Sequence, residues 1–374
     1  MGILGQSEKM KKKLLIFHPY LATYRIDLYN RFAQDYDVRV VLSGHPNEIS
    51  GLGYNLEKVN AQAKFDFKYY NNGHFWGRQQ ITTIYFRVIK EFKPDIVLCH
   101  ENGFNTLAAI VLKPIYKYKL FLTCDDSVQM ACSYGKKRRL LRNFVVKHVD
   151  GFLVVCPKTK AFLEKNYPDT KCKFIYFPII QNDEFLALKI NSSKVVARKY
   201  LSQYNIENKK IILFVGRYDP VKNLPLLINS YCKTKSPDDM LVLVGDGEMK
   251  KEISQQIIGL GLENNVIQTG LLYAEDLYAW YYLADAFVLP SQKEAFGAVV
   301  NEALVAGCFC VVSNHAGAHS LIQDGINGLV FESGNEEDLS QKIGFALKRE
   351  KKSACLSAMP RTFEDFYADL ISNF

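Results

Sequence analysis

Unbroken apolar runs of strand length recur along the whole chain of 374 residues. In the first half they are KKLLIF (12–17), DVRVVLSG (37–44), PDIVLCH (94–100), KLFLTC (119–124), DGFLVV (150–155) and CKFIYFP (172–178). The second half holds KKIILFVG (209–216), MLVLVG (240–245), NVIQTG (265–270), DAFVLPS (285–291), CVVSN (310–314) and GLVFE (328–332). A strand with one wet face alternates apolar and polar residues, whereas a continuous run marks a strand covered on both faces. Stretches of helical length separate the runs, so the pattern predicts parallel sheets built from right-handed βαβ units. The expected fold class is α/β, with two doubly wound, Rossmann-like domains.

Between the halves, PIIQNDEFLALKINSSKV (178–195) mixes Pro, Asn, Asp and Ser without a strand pattern and reads as a connection. This divides the chain into an N-terminal domain over 10–180, a linker over 181–198 and a C-terminal domain over 199–355, followed by a terminal segment over 356–374. In that last segment apolar residues fall at 363, 366, 367, 370 and 371, the spacing of a helix with one apolar face. Its expected dock is the N-terminal domain. Open α/β sheets hold ligands outside the carboxyl ends of their strands. Two such domains in series face a central cleft, and the strand-end loops are where chemistry is to be sought.

Composition narrows the class without changing the fold. The length suits two domains, and 48% apolar with 23% charged residues excludes a disordered chain. No apolar run approaches the roughly 18–20 residues that span a bilayer, and the N-terminal lysines directly precede a strand run, unlike a secretory leader. Residues 1–9 read as an extension ahead of a start at Met10. Nine cysteines without a CxxC pattern, several of them inside apolar runs, indicate reduced thiols and a cytoplasmic protein. The net charge of +8 has a focus at Lys136, Lys137, Arg138, Arg139, Arg142 and Lys147. That cluster suits a solvated helix face or a patch for anionic lipid headgroups at the inner face of a membrane. No nucleic-acid module accompanies it, so no nucleic-acid partner is expected.

Three strand-end segments carry candidate chemistry. GRYDPVKN (216–223) sets Arg217 and Lys222 at a strand end before a helix expected from about Asn223, an arrangement suited to a diphosphate or, more plainly, two surface cations at a turn. Gly245-Asp246-Gly247 permits close backbone approach to a ligand, and is equally an ordinary turn into a helix. In EAFGAVVNEALVAG (294–307), Glu294 is expected just before a helix, beside the amides of Phe296, Gly297 and Ala298, while Glu302 sits among apolar neighbours. Carboxylates beside unpartnered amides suit sugar hydroxyls. The plain alternative is that Glu294 favours the helix N-terminus and Glu302 faces solvent.

Together with NVIQTGLLYAEDLYAWYYLADAFVLPS (265–291) and IQDGINGLVFE (322–332), these segments resemble, in order and spacing, the C-terminal domain of family 4 glycosyltransferases with the GT-B fold, over about residues 205–350. The resemblance implies that Gly216, Arg217 and Lys222 meet the donor diphosphate, with Gly245 and Asp246 in the same site. Glu302 would hold the ribose, Glu294 and Ala295 to Ala298 the transferred sugar, and Gly270, Leu271 and Leu272 would lie near the base. It further implies retention of anomeric configuration with neither metal nor cofactor, the nucleotide-sugar being a substrate.

The N-terminal half resembles the family more loosely. VLCHENGFN (97–105) and LTCDDS (122–127) stand at strand ends where relatives carry a histidine near the reacting sugar, which makes His100 and Asp125, or Asp126, candidate catalytic residues beside Glu294. The glycine-rich loop that many relatives have after the first strand is absent from HPYLATYRIDLYNRF (18–32). Tyr20, Tyr24, Arg25 and Asn102 are the acceptor-binding candidates, Tyr24 being suited also to helix packing. Other departures are Phe309 in place of a usual proline and His319-Ser320 in place of Arg-Glu.

Competing motifs fail on context. Asp35-Tyr36-Asp37 has the form of a metal-binding DxD but is the polar lead-in to a strand. His315 and His319 have helical ligand spacing without a Cys or acidic partner. No nucleophile elbow and no GxGxxG after the first strand support a hydrolase or a dehydrogenase. The expected function is a retaining, metal-independent hexosyltransferase moving a sugar from a nucleotide-sugar to a glycan or lipid-linked glycan in cell-surface polysaccharide synthesis. A non-catalytic nucleotide-sugar-binding protein and a nucleotide-sugar epimerase are the alternatives.

Overall fold

The computed structural model describes residues 10–43, 59–70, 73–76, 79–350 and 356–374; residues 1–9 and Cys355 lie outside these. The apolar runs form strands with both faces covered. The first sheet contains β1 (Lys13–His18), β2 (Asp37–Leu42) and β3 (Asp66–Tyr69), and a small antiparallel hairpin of β4 (His74–Trp76) and β5 (Gln79–Ile81) follows in the chain. It continues with β6 (Ile96–His100), β7 (Lys119–Cys124), β8 (Gly151–Val154) and β9 (Lys173–Tyr176), in the order β3-β2-β1-β6-β7-β8-β9. The second sheet has β10 (Lys210–Val215), β11 (Asp239–Val244), β12 (Val266–Gly270), β13 (Ala286–Leu289), β14 (Phe309–Ser313) and β15 (Gly328–Phe331), in the order β12-β11-β10-β13-β14-β15. Every pairing within the two sheets is parallel.

Strand order reverses between β1 and β6 and again between β10 and β13, and at each reversal flanking loops diverge and open a crevice at the strand ends. Sequence pattern missed β3, β4 and β5. β3 is a four-residue edge strand whose residues alternate between exposed and half-buried, so it carries no apolar run.

The segment read as a linker contains a helix, Asp183–Ser192, and the start of a second, Lys194–Tyr204. The polar residues that suggested a loop start the first of these. Asn182 Oδ1 accepts from Phe185 N at 3.1 Å, and Asp183 and Glu184 stand in the first turn, where the helix dipole favours them.

The terminal helix Phe363–Ile371 opens with a capping box between Thr362 and Asp365 and buries Phe363, Phe366, Tyr367 and Leu370. The Tyr367 hydroxyl donates to Asp35 at 2.7 Å, and the Phe374 ring stacks on Phe32 and Phe121 at centroid distances of 5.6 and 4.6 Å. The helix thus lies against the first-sheet unit, and Asp35 of the DxD-like triplet is taken up by Tyr367 and, at 2.9 Å, by Arg31.

The basic segment forms the helix Lys136–Val146, with Lys136, Lys137, Arg138 and Arg139 exposed. Arg142 does not share that surface. It turns inward, 4% exposed, and meets Asp126 at 2.8 Å.

Candidate functional site

The C-terminal crevice is built from the loops after β10 and β13. Beyond β10, Gly216, Arg217 and Tyr218 nest against the loop after β11: Tyr218 N donates to Asp246 O at 2.9 Å and Met249 N to Tyr218 O at 3.0 Å. Gly245 has φ +144°, and a Cβ there would stand 1.9 Å from Gly216 O. Its lack of a side chain is what lets these two loops fit together. Asp246 accepts from Lys250 at 2.8 Å, which with the Gly247 amide holds its carboxyl below the usual range.

The chain then makes a 3-10 turn over Pro220–Lys222 and passes through Asn223 at φ 52° into the helix Leu224–Thr234. This turn carries Lys222 across to β13, and its Nζ pairs with the Glu294 carboxylate. Both side chains are largely shielded, at 16% and 17% exposure, whereas Arg217, 55% exposed, stands at the rim and pairs with Asp219 at 3.0 Å. Gln292 N donates to Val221 O at 2.8 Å and ties the two loops together.

Glu294 is bridged to Ala316 of the loop after β14, and the chain continues through the buried Phe296 and through Gly297 at φ +99° into the helix Val299–Val305. A Cβ on Gly297 would lie 2.6 Å from Leu289 Cδ2, so the turn requires glycine for both its conformation and its contact. The amides of Phe296, Gly297 and Ala298 precede the helix and lie outside its hydrogen-bond ladder.

Glu302, inside that helix, accepts from Gln181 Nε2 at 2.8 Å, and Gln181 N donates to Asn301 Oδ1 at 2.9 Å. Burial pushes the Glu302 carboxyl above the usual range, against hydrogen bonds from Tyr281 and Gln181. Next in the chain, Asn182 N donates to Asp27 Oδ2 at 2.8 Å, so residues 181–182 tie the Glu302 helix to the helix Thr23–Asp35 of the first unit. At the end of β12, Gly270 takes φ +74°, Leu271 is 41% exposed and Leu272 is half-buried.

The N-terminal crevice gathers residues distant in sequence. His18 ends β1 and His100 ends β6; their rings lie 4.2 Å apart between centroids. His100 Nδ1 meets Thr123 Oγ1 at 3.0 Å. Arg25 is buried and pairs with Asp125 at 2.5 Å. Burial, then His100 and Arg25, hold the His18 imidazole well below its usual pKa, so it stays neutral. Burial also lowers His100, outweighing Asp125 and Glu101.

Asp125 and Asp126, equivalent in the sequence, part company here. Asp126 points inward to Tyr134 at 2.6 Å and Arg142 at 2.8 Å, whereas Asp125 faces the crevice with Arg25. Tyr20 lies on the loop after β1 and Tyr24 in the first turn of the helix Thr23–Asp35, where it also packs on the core; the buried Asn102 Oδ1 has no partner among the described residues.

The structure therefore brings Lys222, Glu294 and the 296–298 amides together, places Arg217 at their rim, and sets Glu302 beside the inter-unit connection. The N-terminal candidates form a second, largely buried cluster. Two participants were not anticipated: His18, read only as a strand end, and Gln181, whose contact with Glu302 spans 121 residues and leaves no local signal.

Known proteins were compared with this chain. Residues 197–359 match the family described as Glycosyl transferases group 1, and residues 21–179 match Glycosyltransferase Family 4. The uncharacterized glycosyltransferase MJ1607 of Methanocaldococcus jannaschii is 30% identical over 309 residues, 78% of this chain and 77% of that protein. The N-acetylgalactosamine-N,N'-diacetylbacillosaminyl-diphospho-undecaprenol 4-alpha-N-acetylgalactosaminyltransferase of Campylobacter jejuni is 28% identical, over 68% of this chain and 70% of that one. A match to YtcC of Bacillus subtilis, 33% identical over 150 residues, spans 38% of this chain and only 37% of that protein. Among solved structures, Anabaena Alr3699/HepE in complex with UDP superposes with a TM-score of 0.74 at 18% identity, covering 98% of this chain and 100% of that one. Fold, family models and relatives agree, and the chain belongs to the group 1 glycosyltransferases of family 4, with the GT-B fold.

Proposed function

We propose that the chain transfers a hexose, with retention of configuration, from a nucleoside-diphosphate donor to a lipid-linked glycan in cell-surface polysaccharide synthesis. The observation that carries this reading is the shielded Lys222–Glu294 pair with Arg217 at its rim. When the glycosidic bond breaks, negative charge develops on the departing diphosphate and positive charge on the sugar. Lys222 and Arg217 stabilise the first, and the Glu294 carboxylate, which also accepts sugar hydroxyls, stabilises the second. Without donor, Lys222 neutralises Glu294; with donor, its ammonium turns to the phosphates. Glu302 accepts the ribose hydroxyls, and Gly270, Leu271 and Leu272 border the base.

The acceptor approaches from the N-terminal crevice, where Tyr20, Asn102, His100 and Asp125 surround its hydroxyl. Two protein cations at the diphosphate supply the charge that a metal provides elsewhere, so we assign no metal or cofactor. The Campylobacter relative is named for a diphospho-undecaprenol acceptor and the Anabaena neighbour was solved with UDP, which supports a lipid-linked acceptor and makes UDP the first nucleotide to try.

Thermal shift against a panel of nucleoside diphosphates and nucleotide-sugars identifies the donor, because ligands that bind the folded state raise its apparent stability. NMR of the product then gives the anomeric configuration, and an inverted product overturns the mechanism. Transfer should survive a chelator; its loss would overturn the assignment of no metal.

The same reading places the protein at a membrane surface. Among the described residues no helix is long and apolar enough to cross a bilayer. The basic helix exposes Leu140 and Phe144 beside its cations, and Val111 and Ile115 are exposed on the helix Phe104–Tyr116 that it contacts. Apolar side chains among cations suit an anionic bilayer surface. The affinity for anionic vesicles read by co-sedimentation should fall about thirtyfold or more in Lys136→Glu/Arg139→Glu, at about 1 kcal/mol for each of two cationic positions. Equal pelleting of wild type with neutral and anionic vesicles would sink the idea.

A further inference from the structure

A cavity of about 230 Å³ lies between the two units, beside the crevice but outside the groups assigned above. Its walls come from the segments that follow β7 and β8 on one side, including the start of the helix Pro157–Asn166, and from the segment that follows β14 on the other. Lys158, His315 and His319 line it with Ser127, Thr159 and Asn314, and no Asp or Glu is among the lining residues. Much of the wall is apolar, with Val128, Cys156 and Ala316 among its residues, and Thr159 already donates to Asp126 O at 3.1 Å, so the groups left to meet an oxyanion are the Lys158 ammonium and the two imidazoles.

The histidines sharpen the match. His315 Nδ1 lies 3.1 Å from Gln292 O and His319 Nδ1 lies 2.7 Å from Ala316 O. A carbonyl only accepts, so both Nδ1 atoms carry the proton and each Nε2 is left to meet a ligand. A neutral Nε2 cannot donate to an oxyanion, whereas a protonated one can. An anion arriving here therefore draws protons onto the pair.

Ala316, which lines the cavity, is bridged to Glu294, so the cavity adjoins the place assigned to the transferred sugar. We infer that Lys158, His315 and His319 hold a phosphate group carried by the acceptor. This rests on the reading that Glu294 marks the transferred sugar.

The test uses the full chain with imidazole resonances followed by NMR, assigned through His315→Gln and His319→Gln. Titrated in inorganic phosphate and in chloride at matched ionic strength, both histidines should show a higher pKa in phosphate by half a unit or more. The rise should vanish in Lys158→Glu, which changes an exposed residue, and persist in Arg217→Ala. Identical titrations in the two salts, or a rise that survives Lys158→Glu, would overturn the assignment.

Two further arms separate the sources of the phosphate. Glucose 1-phosphate reproducing the rise indicates a soluble sugar phosphate, and phosphatidylcholine vesicles carrying a polyprenyl diphosphate reproducing it indicate a lipid carrier. If neither does so, the phosphate does not belong to an acceptor and the inference fails. Nucleoside-diphosphate binding, measured alongside by thermal shift, reports separately on the donor reading; Lys158→Glu should leave it unchanged.

Discussion

The two crevices face each other across one cleft and hold their charges in opposite ways. At the C-terminal crevice the cations are available: Arg217 is 55% exposed at the rim and Lys222 has a single carboxylate partner that a diphosphate can replace. At the N-terminal crevice Arg25 is 2% exposed and committed to Asp125, beside two imidazoles that burial keeps neutral. One side keeps cations within reach of solvent, and the other pairs or neutralises its charges internally. On the proposed function, the donor diphosphate meets the first set of charges and the acceptor's reacting hydroxyl meets the second.

The largest effect that would test it is at Glu294. Its carboxylate is the only acidic group paired with Lys222 among the described residues. Glu294→Ala should lower kcat for sugar transfer by about 10²–10³-fold, as loss of one preorganised electrostatic group does elsewhere, while nucleoside-diphosphate binding by thermal shift stays within a few-fold. Equal loss of turnover and of nucleotide binding would remove Glu294 from the transferred sugar.

The two arginines separate the crevices by kind of damage. Arg25→Met leaves Asp125 unpaired in a buried setting and should destabilise the fold by about 3–5 kcal/mol. Arg217→Ala should leave the unfolding midpoint in urea unchanged and weaken nucleotide binding instead. If both variants lose stability, or neither does, the contrast between a structural and a ligand-facing arginine is wrong.

These differences explain what could be read in advance. The strands of both sheets that carry continuous apolar runs were legible, because burial on both faces writes itself into consecutive residues; the edge strand β3 was not. The local geometry of the C-terminal crevice was legible for a related reason. Gly216 to Lys222 and Glu294 to Glu302 each lie in one short stretch, so spacing alone shows that they share a loop or a helix end.

The N-terminal cluster has no such economy. Arg25 and Asp125 are 100 residues apart, and His18 meets His100 only because β1 and β6 are neighbours at the strand reversal. Tandem Asp125-Asp126 could not be resolved by residue type, since one faces the crevice and the other is consumed by Arg142, a residue that sequence had placed on the surface.

Acidification gives a smaller test of the neutral side. His18 and His100 have folded-state pKa values below the usual 6.5, so below that pH the unfolded chain binds protons that the folded chain refuses. Stability should fall as pH drops from 7 to 5.5, by about 1.4 kcal/mol per pH unit for each proton taken up on unfolding. Glu302 works in the opposite direction, because its raised carboxyl pKa favours the folded state at low pH. His18→Gln isolates the imidazole, and urea unfolding of that variant should show a slope shallower by one proton. An unchanged slope would mean that His18 is not held neutral by its burial.

The smallest expected effect lies where the two crevices are joined. Gln181 donates to Glu302 from the segment that also contacts Asp27, so it orients a donor-side carboxylate from the connection between units. Removing one hydrogen bond to a charged group costs about 1.5–3 kcal/mol when the group stays buried; Glu302 keeps its second donor, Tyr281, so the loss should fall at or below the lower end of that range. Gln181→Ala should therefore raise KM for the nucleotide-sugar about five- to tenfold, with kcat nearly unchanged. On the proposed donor site it differs from Glu294→Ala in where the damage falls: one variant should loosen the ribose end of the donor, the other remove charge at the reacting carbon. A Gln181→Ala enzyme that lost kcat and kept its KM would show that the connection governs closure of the cleft, not the placement of Glu302.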